Sequence, residues 1–331
     1  MRRVLAMLAA CAVLAGTGCL LQASDALAAK PIVLKVAYEN HPGEVLDREA
    51  HFWADLVEKR SEGKVKLELY PSSQLGTKQE VFEQALMGVN VCMLADPGFL
   101  GEYVPDFTIL SGPYFADWDK LFKLVRTDWF KGLEKKLSDK GLVGLSYNWM
   151  YGSRSLVANK AVHVPEDMKG LKIRVPGTKI QIEAFKALGA TPTPMPLGEV
   201  YPALTQKVID GAENPLTVLY GQKLHEPTKH LMLTEHLNMI TTWIVGQSWL
   251  DTLPADVVTL LKETCDEAGE YSKKLVPEED AKLVAVMESE GVQVVPVDKE
   301  KFREAAKATY NQFPEWTPGL YDSVMKIIDT L

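Results

Sequence analysis

Apolar and polar residues along this chain follow two alternating periods. "IVLKVAYEN", from Ile32, repeats every second residue as a strand does, and "DREAHFWADLVEKRSEG" then repeats at helical spacing with Gly63 as its stop. "KVKLELYP" returns to period two, "KQEVFEQALMG" is a helix closed by Gly88, and "VNVCMLAD" is a short apolar strand. Strand, helix, strand, helix, strand predicts parallel pairing in an α/β domain. A less regular aromatic segment and the helix "GLEKKLSDKG" follow. "LVGLSYNWMYGSRSLVAN" reads as a strand, a break at Gly152 and a second strand, crossing between domains. A second α/β unit runs from "PEDMKGLKIRV" through the helix "KIQIEAFKALG", the extended "ATPTPMP" and the helix "EVYPALTQKVIDG" to "AENPLTVLYGQKL". The strand "MITTWIVGQSWL" returns the chain to the first domain. Residues 254–290 carry an almost unbroken amphipathic helical pattern, with Pro254 suited to its first turn and Pro277 predicting a kink or break. The pattern predicts a first domain over 29–150, completed by about 240–331, and a second over 151–239. Two α/β domains joined by several crossings suit a hinged binding protein, with its ligand between the domains beyond the carboxyl ends of the strands.

The N-terminus changes this picture by adding an address. Arg2 and Arg3 precede an apolar run from Val4 to Leu21, and Ala26 and Ala28 follow at A-x-A spacing. This layout predicts a secretory signal over 1–28, cleaved after Ala28, and a periplasmic mature protein. A membrane anchor is the alternative, although Gly16 and Gly18 interrupt the run. Loss of Arg2, Arg3 and Asp25 takes the formal charge from −8 to −9. An acidic chain without a basic run argues against nucleic acid as a partner, so an anionic ligand needs a local positive constellation. Cys92 and Cys265 survive cleavage; a single long-range disulfide between them is compatible with an oxidising compartment, but no disulfide framework is implied.

Motifs for catalysis or metal binding are missing from the sequence. In "HEPTKH" the histidines are five apart with Pro227 between them, which does not put two imidazoles on one helix face. There is no G-x-S-x-G, C-x-x-C, P-loop or G-x-G-x-x-G, and no cofactor or metal is expected. Glu39 and Asp96 follow predicted strand ends, where they suit hydrogen-bond acceptance from ligand hydroxyls better than acid–base work. Arg154, after Gly152-Ser153, and Arg174, before Pro176, are the candidates for gripping a carboxylate through two parallel charge-assisted bonds. Alternation in "GLKIRVPG" permits either a solvated Arg174 or an anion clamp. Asn214 adds an amide donor, with Glu213 beside it as a further candidate ligand contact, and Tyr147, Trp149 and Tyr151 alternate toward Arg154 as a candidate cleft wall.

Four ordered pieces, "EGKVKLELYPSSQLG", "YGSRSLVANKAVHVPEDMKGLKIRVPG", "FKALGATPTPMPLGEVYPAL" and "VIDGAENPL", give the chain a wider likeness. It resembles the DctP-type solute receptors of tripartite ATP-independent periplasmic (TRAP) transporters over essentially the whole mature length. The resemblance implies a two-domain periplasmic binding protein fold, with a central cleft and the 254–290 helix bridging both domains. It assigns Arg174 to the principal carboxylate-binding arginine, Arg154 to a second cleft arginine and Asn214 to a cleft asparagine. Asp96 falls where the sialic-acid receptors carry glutamate, Leu197 where they carry phenylalanine and Glu39 where they carry asparagine. These departures point away from sialic acid and toward a sugar acid or related hydroxy or keto acid. A C4-dicarboxylate would place like charges near Glu39 and Asp96, and an aromatic or branched acid is the alternative that Trp149 and Trp243 leave open. The expectation is a monomeric, non-enzymatic receptor that delivers its acid to the small and large membrane subunits of a TRAP permease. A sensory binding protein, or a secreted hydrolase using Glu39 or Asp96, are the rival readings.

Overall fold

The period-two segments join one mixed sheet, ten strands among the described residues. The computed structural model describes residues 30–331; the expected signal over 1–28 and its cleavage point lie outside them. β1 (Ile32–Ala37), β2 (Val65–Tyr70) and β3 (Val91–Ala95) are parallel, with β1 in the middle. β4 (Leu142–Gly144) is a short addition, and β5 (Trp149–Ala158) is the first long strand. β6 (Lys172–Val175), β7 (Thr191–Pro194) and β8 (Gly211–Pro215) repeat the parallel arrangement around β6. β9 (His230–Gly246) runs antiparallel to β5, pairs with β3 and β4 near its end, and meets β10 (Gln293–Val295) at its start. The sheet order is β2-β1-β3-β9-β5-β8-β6-β7, so a first lobe on β1–β3 and a second on β6–β8 share the antiparallel pair β5 and β9.

Local chemistry explains the elements. The helix Val45–Arg60 turns Ala50, Trp53 and Val57 inward and ends in Lys59 and Arg60, charges that suit the negative end of its dipole. A capping box between Thr77 and Glu80 starts the helix Lys78–Leu86. Gly152 does not break its strand. β5 runs through it with φ 127° and a register shift between Met150 and Gly152, which makes the site a bulge. A Cβ at Gly152 would lie 2.7 Å from Pro215, so close strand packing also favours glycine there.

The helix Ala255–Ser289 is continuous, and Pro277 does not end it. Pro277 is exposed while its neighbours Leu275 and Val276 are buried, so packing on the inner face holds the helix through one missing backbone bond. Leu261, Cys265 and Ala268 enter the first lobe's core and Met287 enters the second's, so this helix braces both. The tail differs from expectation. Val295, Phe302 and Ala306 pack into the second lobe, and only Phe313–Ile328 return to the first, because β10 pairs with the second-lobe end of β9. Cys92 and Cys265 are buried free thiols. Among the described residues, no helix is long and apolar enough to cross a membrane.

Candidate functional site

The carboxyl ends of β1, β3, β6 and β8 converge on a cleft of about 600 Å³ between the lobes. In α/β sheets this is where side chains and loops escape the ladder and can meet a ligand. Glu39, Lys78 and Asp96 line it from the first lobe; Arg174, Leu197 and Asn214 line it from the second; Tyr151 and Arg154 come from β5. The lobes touch at the cleft's edge. Ile180, from the helix Lys179–Ala187, packs into the first lobe's core, and Lys179 Nζ lies 2.7 Å from Glu315 Oε1.

Arg174 is 3% exposed. Alternation in β6 sends Ile173 and Val175 into the core and Arg174 to the opposite face. The segment after β7 covers that face. Its Met195 carbonyl accepts bonds from Arg174 Nε and Nη2 at 3.0 and 2.8 Å. No carboxylate among the described residues pairs with the guanidinium. Burial, with Arg154's charge adding to it against Glu213's pull, brings Arg174 down to about 10, so it is a cation at neutral pH.

Arg154, 2% exposed, is placed differently. Its Nε and Nη2 donate to Glu213 Oε2 and Oε1 at 2.5 and 2.6 Å, Nη2 also reaches the Glu213 carbonyl at 3.0 Å, and Nη1 meets Met239 Sδ at 3.1 Å. Glu213 Oε2 also lies 3.2 Å from His236 Nε2. Burial pushes the Glu213 carboxyl up, but Arg154 and then His236 outweigh it and hold the group at about 2. Glu213 is fully buried and does not line the cleft, which corrects its place among the expected ligand contacts: it is the counter-charge of Arg154.

Lys78 was not singled out in the sequence, where it reads as a solvated residue of an amphipathic helix. The capping box fixes it in the first helical turn, and it reaches Glu39 Oε2 at 3.3 Å and Asp96 Oδ2 at 3.4 Å. Burial disfavours the lysine charge, yet Glu39 and Asp96 more than compensate and raise its pKa. Asp96 also caps the short helix Pro97–Leu100 by accepting from Phe99 N–H at 3.1 Å. The one local sign of this helix start is the capping-box spacing of Thr77 and Glu80, seven positions beyond the end of β2, and it says nothing of the carboxylates that Lys78 meets.

Trp149 does not reach the cleft. Its ring is fully buried against Trp53 and Trp243, and its Nε1 donates to the Cys265 carbonyl at 2.9 Å. The bulge after Met150 breaks the strict alternation, so Tyr151 faces the cleft where Trp149 faces the core. Tyr147 also packs in a core, with Phe107 and Phe130. The outcome is a polarised cleft. One wall carries Arg174 with no counter-ion, and the other carries Glu39, Asp96 and Glu102 around the single cation of Lys78.

Comparison with known proteins places the fold among solute-binding proteins. The family model of the bacterial extracellular solute-binding proteins, family 7 (DctP), matches residues 36–315. A TRAP periplasmic solute-binding protein from Ochrobacterium anthropi, solved with bound L-fuconate, is 47% identical; the match covers 90% of this chain and 99% of that one at TM-score 0.88. One from Actinobacillus succinogenes, with bound L-galactonate, is 36% identical over 90% of this chain and 100% of that one, also at 0.88. An apo open structure from Escherichia fergusonii is 31% identical over 90% and 99%, at TM-score 0.75. The lobe arrangement here is therefore nearer to that of the ligand-bound relatives.

Proposed function

The chain belongs to the DctP family of bacterial extracellular solute-binding proteins, and from this premise we propose that it is a periplasmic receptor for a sugar acid with one carboxylate, of the aldonate class. The family binds solutes and is not enzymatic. The observation that carries the ligand class is Arg174: a buried cation on the cleft wall with hydrogen bonds to one carbonyl and no carboxylate. A ligand carboxylate supplies the missing counter-charge, and the low local dielectric strengthens the pair. Asn214, on the adjoining strand β8, lines the same cleft as an amide donor, and Arg154, its own charge met by Glu213, lends hydrogen-bonding potential without attracting a second anion. The opposite wall, with Glu39 and Asp96 around Lys78, accepts and donates bonds to hydroxyls and repels a second carboxylate. The L-fuconate and L-galactonate bound by the two relatives have this shape, a carboxylate followed by a hydroxylated chain. Export by cleavage after Ala28, a monomeric state, closure of the two lobes about β5, β9 and the long helix, and delivery to a TRAP permease complete the reading.

Calorimetry with L-fuconate, L-galactonate and succinate tests it. Binding of either hydroxy acid, with succinate at least tenfold weaker, is expected. Tighter binding of succinate, or heat from neither aldonate, overturns the ligand class.

A further inference from the structure

One step from the cleft, a second contact joins the lobes. Tyr151, a cleft residue, donates to Asn40 Oδ1 at 3.2 Å, and Asn40 Nδ2 donates to Glu44 Oε2 at 2.7 Å. Glu44 sits at the start of the helix Val45–Arg60 in the first lobe, where its Oε1 accepts the His41 N–H at 2.8 Å. The same oxygen accepts from Gln222 Nε2 at 2.5 Å. Gln222 ends the helix Leu216–Gly221, whose Leu216, Val218 and Leu219 belong to the second lobe's core. Glu44 and Gln222 are 8% and 7% exposed, so the bond is shielded from water. Gly221 makes the approach possible: a Cβ there would lie 2.5 Å from Glu44 Cγ. This contact is present in an arrangement that matches ligand-bound relatives better than the apo open one.

We propose that Glu44 and Gln222 form a clasp between the lobes, making Glu44 a positioning residue that sets how long the closed cleft holds its solute. The inference rests on the solute-receptor reading but not on which acid is bound. A buried hydrogen bond to a carboxylate is made only when the lobes meet, so it slows reopening and leaves the first encounter of ligand with the open cleft unaffected.

Stopped-flow binding of L-fuconate tests the kinetic consequence. Q222A is expected to raise the dissociation rate roughly ten- to a hundredfold, the worth of one charge-assisted bond, with an unchanged association rate and an unchanged melting temperature of the ligand-free protein. G221A is expected to act in the same direction by its clash with Glu44. In an E44A background, where Cγ is gone, G221A is expected to cost little, a non-additivity that general destabilisation does not produce. Unchanged dissociation in both single variants overturns the clasp. So does a fall in ligand-free melting temperature as large as that of the bound protein, because the contact then belongs to a permanent hinge. A ligand-free measurement separates this from the choice of acid. Oxidised E44C/G221C is expected to show a smaller radius of gyration by solution scattering than its reduced form; equal radii overturn the clasp even if L-fuconate does not bind at all.

Discussion

Arg154 and Arg174 enter the same cleft from two strands of one sheet, both nearly free of water, yet their surroundings differ in kind. Arg154 has a carboxylate in two-pronged contact, a histidine behind that carboxylate and a sulfur on its remaining nitrogen. Arg174 has one carbonyl. A buried charge that is matched internally belongs to the architecture, because removing either partner strands the other. A buried charge left unmatched raises the energy of the empty protein, and that energy is recovered when an anion arrives. On the proposed reading the two arginines divide the work: one holds the wall in place, and the other is left to meet the ligand.

The largest test of this division is E213A. It leaves the Arg154 charge buried without a partner, so denaturant unfolding should show a loss of about 3–5 kcal/mol. A loss below about 1 kcal/mol would show that Arg154 is not held by Glu213 and would put both arginines in one class. R174A should do the opposite. Ligand binding measured by calorimetry weakens by roughly 2–5 kcal/mol, while the stability of the empty protein stays level or rises. Loss of stability without loss of affinity would reverse the assignment.

Two further measurements sharpen the contrast between matched and unmatched buried charges. Burial, with Glu235 adding to it against the pull of the Thr217 N–H, pushes Asp280 on the long helix up to about 7. A raised carboxyl favours the fold below its unfolded pKa and loses that contribution as pH rises through 7. D280N should therefore be more stable than wild type at pH 8, by the order of 2 kcal/mol, and similar at pH 5; equal pH profiles by thermal melting would contradict this. Glu213, held low, has the opposite sign: its contribution is present above the ordinary glutamate range and is lost as pH falls toward 2. The smallest effect is expected from R174K. It keeps the charge but not the planar fork, and should weaken binding by about 1 kcal/mol; affinity equal to wild type would mean the ligand carboxylate is met by a point charge alone.

Periodicity along the chain located most strands and helices, because the spacing of apolar residues is set by geometry within a few residues of each position. It also placed Glu39, Asp96 and Arg174 at strand ends, and these line the cleft together with Asn214. The ordered likeness to a receptor family supplied Leu197 and gave the two arginines, already candidates from their chemistry, their expected roles. Lys78 was passed over because a lysine in an amphipathic helix gives no local sign of the two carboxylates that surround it. Trp149 was misplaced because a bulge, which depends on the partner strand's register, changed the facing of Tyr151 relative to it.

Sequence by itself determined an acidic chain of two α/β units with two candidate arginines, Arg174 at a strand end. Only the tertiary structure decided which arginine is occupied. The partner of Arg154 lies 59 positions away on an adjacent strand, and whether its carboxylate turns toward Arg154 or Arg174 depends on strand register and burial. Charge pairing in a low-dielectric interior is settled by ångströms between distant segments, and no short-range pattern carries that distance.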